Sequence, residues 1–174
     1  MKELIELFLL IYIVGHPNVG VSVPTPIPTM ITQPQYEKVK SMSVKPSPMT
    51  LLVNNERISR GMKPLIETLA LNLSASMKCQ DMIDRDYWSH FAPDGTSPWD
   101  FFDKAKGGDY RHAGENLARD YVRDEDAFNA LMHSPTHRDN ILSEDYTRIG
   151  IGKCQGDLGG INSIVIVQHF ASIW

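Results

Sequence analysis

A basic excess is missing from this chain. Its 17 Lys and Arg are outnumbered by 21 Asp and Glu, which leaves a formal charge of −4. Duplex-binding proteins carry a basic face, so no nucleic acid is expected as the main partner. Cysteine is scarce: Cys79 and Cys154 are the two present. They are too few for a disulfide scaffold but enough for one bridge if the chain is exported. The other reading is two separate buried thiols. A membrane-spanning run is also lacking. The clean apolar stretch, Leu7 to Gly15, falls well short of the ~20 residues that a bilayer requires. What is present is ordinary globular material. Apolar residues make up 42% and charged residues 22% of 174 residues. This composition fits one domain with a tail and excludes a collagen, a coiled-coil rod or a fully disordered chain.

The tail comes first. Leu7 to Gly15 fits the apolar part of a signal peptide, with Lys2 before it and the small residues of Gly20-Val21-Ser22 at a cleavage position. Glu3 and Glu6 depart from that pattern. Residues 1–22 are therefore read as a signal peptide or a short apolar anchor, which would bring the chain near a membrane. The bland reading is an apolar terminal helix packed on something else. Residues 23–48 follow as a Pro-rich linker. Its Val23-Pro24-Thr25-Pro26-Ile27-Pro28 run is extended and polyproline-like, because closely spaced prolines prevent helix and remove backbone donors. The folded unit is expected over 49–174.

Within it, Thr50 caps a predicted helix from Leu51 to Ser59, closed by Gly61. Leu69, Leu73, Met77, Met82 and Ile83 mark the apolar stripe of a second helix, Leu69 to Arg85. Ser97-Pro98 opens a short helix to Lys106, broken by Gly107-Gly108. A fourth helix runs from about Asp124 through Met132 and stops before Pro135. Thr147–Lys153 and the β-branched Ile161–Phe170 read as strands. Helices followed by paired strands give a mixed α/β (α+β) class with an antiparallel sheet.

Four polar stretches interrupt this pattern. They are Ser89-His90-Phe91-Ala92-Pro93-Asp94-Gly95, Gly114-Glu115-Asn116-Leu117-Ala118, His133 to Leu142, and Ile149-Gly150-Ile151-Gly152 with the later Gln168-His169-Phe170. In this order and at these spacings they resemble the CAP superfamily (cysteine-rich secretory, antigen 5 and pathogenesis-related proteins; the SCP-like domain). The likeness is greatest to its short bacterial branch, and Met62-Lys63-Pro64-Leu65 fits as well. The resemblance covers about Leu51 to Phe170. It implies a three-layer α-β-α sandwich with a central antiparallel sheet, and a cleft holding two histidines and one or two acids. By motif, His90 and His137 correspond to the histidines and Glu115 to the acid. The wider family carries a second glutamate after a tryptophan in the next helix. Here Leu131 stands at the tryptophan position and no glutamate follows.

Two neutral imidazoles and a carboxylate suit Zn²⁺ or a similar divalent cation, and equally suit general acid–base work. Each residue also has a structural reading. His90 beside Trp88 and Phe91 is a satisfied side chain in many proteins, Glu115 a loop acceptor, and His137 part of a helix start capped by Ser134 or Thr136. His112, His133 and His169 have no motif support as ligands. Gln168 reads as structural or cleft-lining. Ser89 lacks the glycine-flanked elbow of a nucleophile. Asp81, Asp84 and Asp86 read as a solvated helix face. Three functional readings follow. The first is an exported, non-enzymatic domain that binds a cation and a surface ligand, whether lipid, glycan or protein. The second is a metal-dependent hydrolase with Glu115, His90 and His137 as its catalytic candidates. The third is a structural accessory domain at the cell surface.

Overall fold

The computed structural model describes residues 43–105 and 110–173. The signal or anchor segment, most of the Pro-rich linker and the Gly107-Gly108 break lie outside the described residues. Among the described residues there are five helices and four strands: α1 (Pro48–Ser59), β1 (Ile66–Glu67), α2 (Leu69–Asp84), α3 (Pro98–Lys104), β2 (Tyr110–Arg119), α4 (Asp124–His133), α5 (Pro135–Ile141), β3 (Arg148–Leu158) and β4 (Ile161–Ile173). None of these helices is long and apolar enough to cross a membrane.

Local chemistry explains the boundaries. α1 starts earlier than expected. Ser47, not Thr50, is its cap: the Ser47 hydroxyl accepts from the Thr50 amide at 3.2 Å, and Pro48 fills the first turn, where no amide donor is needed. Ser47 is itself held, its amide donating to Glu67 Oε2 at 2.7 Å. α3 opens on Ser97-Pro98 with a capping box closed by Asp100. Gly159 and Gly160 join β3 to β4, with φ of 65° and 79°. A two-residue hairpin loop with both residues at positive φ matches the twist of the strands, and glycine enters that region without strain.

The sheet order is β1-β3-β4-β2. β2, β3 and β4 are antiparallel, but the two-residue β1 joins β3 in parallel, so the sheet is not purely antiparallel. β4 is covered on both sides, and its side chains alternate between two cores. Ile166 and Phe170 pack with Met49 and Val53 of α1, Ala127 and Leu131 of α4, and Ile141 of α5. Val165 and Val167 pack with Ala75, Cys79 and Met82 of α2, and Ala171 packs with Leu71 and Phe102. The result is an α-β-α sandwich. Gly150 and Gly152 permit the tight approach of α2 to β3: a Cβ at either would run into the backbone of Leu71 or Ala75. Cys79 on α2 and Cys154 on β3 are joined as a disulfide with Cα atoms 6.0 Å apart.

Candidate functional site

β2 is an edge strand, and the residues of the cleft gather around it. The Gly-Glu-Asn stretch, expected in a loop, lies within this strand, with Glu115 opposite His169 and Asn116 opposite Gln168 on β4. The strand's free edge is closed by side chains. The Tyr146 hydroxyl donates to the Ala113 carbonyl and Asn140 Nδ2 to that of Glu115, each at 3.2 Å. Gly114 leaves room for this cover, since a Cβ there would meet the Tyr146 hydroxyl.

Alternation along β2 sends Glu115 toward α2 and Asn116 toward α5. The Glu115 carboxylate is almost fully buried, and each oxygen has one histidine. His90 Nδ1 donates to Oε1 at 2.6 Å, and His169 Nε2 donates to Oε2 at 2.9 Å. The other nitrogen of His169 faces the Ser74 hydroxyl at 2.9 Å; burial disfavours the charged ring, so the neutral imidazole donates from Nε2 and accepts from Ser74 at Nδ1. Burial pushes the Glu115 carboxyl up, but the bonds from His169 and His90 outweigh it and hold the group below its ordinary value. Burial pushes His169 down, and the Glu115 carboxylate offsets only part of that.

Asn116 is fully buried and ties α5 to the sheet. Its Nδ2 donates to the His137 carbonyl and to Gln168 Oε1, each at 3.0 Å. Its Oδ1 accepts from Asn140 at 2.8 Å. The far end of α5 is fixed by buried Arg57, whose Nη1 donates to the carbonyls of Ile141 and Ser143 at 2.8 Å. His137 is thus carried on a helix anchored at both ends. Burial, and then the nearby charge of His90, hold its imidazole below the ordinary histidine value.

Two hollows are lined in part by β2. One, of about 300 Å³, is lined by His90 and Glu115 with Phe91, Trp99, Asn140 and Tyr146. The other, of about 280 Å³, is lined by His137 with Trp88, Arg119, Tyr121 and Leu131. His90 and Glu115 meet directly, whereas His137 lines the other hollow. Among the described residues no three His, Cys, Asp or Glu side chains are grouped as metal ligands. Each Glu115 oxygen is engaged by a histidine. A carboxylate on Nδ1 is the partner that orients a metal-binding imidazole and leaves Nε2 bare. Sequence reasoning missed His169. Its available signals were an ionisable side chain inside a β-branched run and its place in the Gln168-His169-Phe170 stretch.

The directions of these shifts set the response to acid. The folded His169 and His137 bind protons less readily than in the unfolded chain. Below about pH 6.5 the unfolded state therefore takes up protons that the folded state refuses, and stability is lost as pH falls. Glu115, also depressed, adds a further loss below the ordinary carboxylate range. The urea midpoint is expected to hold steady above neutrality and to fall steadily below about pH 6.5. A midpoint that rises on acidification through that range would contradict this assignment.

Comparison with known proteins agrees with the architecture. The profile of the cysteine-rich secretory protein (CAP) family matches residues 51–170. The Bacillus subtilis protein YkwD is 40% identical over 112 residues, which are 64% of this chain and 43% of YkwD. An extracellular protein containing an SCP domain, from Bacillus anthracis, has a solved structure with TM-score 0.64 and 26% identity, covering 72% of this chain and 39% of that one. An outer surface protein from Borrelia burgdorferi shares the fold at 18% identity, with TM-score 0.61 over 76% of this chain and 100% of its own. The chain spans less than half the length of YkwD and of the Bacillus anthracis protein.

Proposed function

The chain belongs to the cysteine-rich secretory protein (CAP) family, and we propose that its domain is a non-enzymatic binding module of the cell exterior. In this reading His90 and His137 hold a divalent cation such as Zn²⁺, and the two hollows beside them receive a surface ligand: a lipid, glycan or protein. When bound, the cation would supply a positive centre for an electron-rich group of that ligand. Glu115 acts behind the site. It keeps the proton of His90 on Nδ1, so that Nε2 is the free donor.

The observation that carries this reading is the double bonding of Glu115 to His90 and His169. A hydrolytic role would need that carboxylate as a proton acceptor for water. Both of its oxygens are instead engaged by histidines. An exterior location is supported by the Cys79–Cys154 bridge, since disulfides persist in oxidising compartments, and by the Bacillus anthracis relative, which is an extracellular protein.

Calorimetric titration of the purified protein with Zn²⁺ tests the reading. His90→Ala and His137→Ala are each expected to lower affinity by at least ~10-fold while the domain stays folded. Affinity should also fall below about pH 6.5, because a protonated imidazole cannot ligate. Unchanged binding in both variants would refute the site. Turnover of a peptide, ester or glycan that is abolished by Glu115→Gln would favour the hydrolase instead.

A further inference from the structure

Lys78 has no part in the cation reading, yet it is an expensive side chain to have beside the cleft. It lies on α2 with no exposed surface, and a buried ammonium is strongly disfavoured unless every donor is matched. Its partners account for all three N–H groups. Nζ donates to the Tyr87 hydroxyl at 3.0 Å and to the carbonyls of Ser89 and His90 at 2.9 Å each. The Tyr87 hydroxyl in turn donates to Asp81 Oδ2 at 2.5 Å. Two of the three acceptors are therefore the backbone of the cleft histidine and of the residue before it.

Packing does not hold that backbone from the outside. Phe91 is 58% exposed, and the His90 side chain is 50% exposed. The His90 ring is fixed by Glu115 in front, and its main chain by Lys78 from behind. If the position served only to fill the core, an aliphatic side chain would do so without the cost of desolvating a charge.

We propose that Lys78 is the positioning residue of the cleft, drawing the Ser89 and His90 carbonyls inward so that the His90 ring meets Glu115 with its Nε2 left bare. The link from this geometry to binding rests on the reading that His90 and His137 hold a cation. Without Lys78 the 89–90 segment loses its inner anchor. The bond from His90 Nδ1 to Glu115 then lengthens or breaks, and the ring takes the tautomer that solvent dictates.

The test uses the full chain with its disulfide intact. The ring nitrogen shifts of His90 report its tautomer, and a separate titration with Zn²⁺ reports binding. Wild type is expected to show the Nδ1–H form. Lys78→Met should remain folded by near-ultraviolet circular dichroism, lose that tautomer preference and bind Zn²⁺ about 10-fold more weakly, as loss of an orienting partner does. Lys78→Gln is the second variant. It keeps a polar group in the pocket but is one bond shorter and has two donors, so it should show the same changes in weaker form. A folded variant at position 78 with the wild-type His90 tautomer and affinity overturns the proposal. The two readings fail separately. Wild type that takes up no Zn²⁺, with the tautomer still lost in Lys78→Met, removes the cation and leaves the positioning role supported.

Discussion

Replacing Cys79 and Cys154 together by alanine is expected to lower the stability of the domain by about 4 to 5 kcal/mol. The two residues are 75 apart in sequence, and in the chain-entropy model a cross-link over so long a loop removes much of the freedom of the unfolded state. That is a large share of the ~5–15 kcal/mol by which domains are typically stable. The bridge also ties α2, which carries Lys78 and Ser74, to the sheet that carries Glu115 and His169. Urea unfolding of wild type, of the double variant and of wild type under reductant measures the effect. The double variant and the reduced protein should unfold at similarly lowered midpoints. A midpoint unchanged by reduction would mean that the bridge contributes nothing.

Glu115→Ala is expected to be nearly as damaging, at about 3 to 5 kcal/mol. The carboxylate is the shared acceptor of His90 and His169, and its charge favours the buried Lys78 ammonium. Removing it leaves the Nε2–H of fully buried His169 without an acceptor and takes away a negative charge that offsets the burial of Lys78. Glu115→Gln is the sharper comparison. It preserves shape and one acceptor oxygen but offers an amide where a histidine donates, so it should fall between wild type and alanine. Equal stability of wild type and Glu115→Ala would show that the histidine pair does not depend on the carboxylate. Thermal unfolding with the disulfide intact decides this.

Much of the fold can be read from local signals. Ser97-Pro98 marks the start of α3, Leu69 begins α2, and the β-branched run from Ile161 makes β4; each is written within a few neighbouring residues. β2 cannot be read that way. Gly114, Glu115 and Asn116 look like a turn, because the reasons for a strand there are distant: pairing with β4, and polar partners from α5, from Tyr146 and from the segment after α2. The same holds within the site. His90, Glu115 and His137 stand out through their motifs. His169 lies in a motif stretch too, but its role is not legible there, since it follows from lying opposite Glu115 on the neighbouring strand. Lys78 is not part of the apolar stripe read for α2; it is buried because the chain after α2 folds back over it. The cap of α1 escapes a local reading for a similar reason: Ser47 is secured by Glu67, 20 residues away.

The central claim is that His90 and His137 act together on one cation while Glu115 stays on its histidines. The most direct measurement follows the ring nitrogen shifts of every histidine as Zn²⁺ is added to the folded protein at neutral pH. The account predicts that Nε2 of His90 and one nitrogen of His137 shift together, saturating at one equivalent, while His169 keeps its bonds to Glu115 and Ser74 and does not move. A shift at His90 or His137 alone, or none at either up to millimolar Zn²⁺, would contradict it.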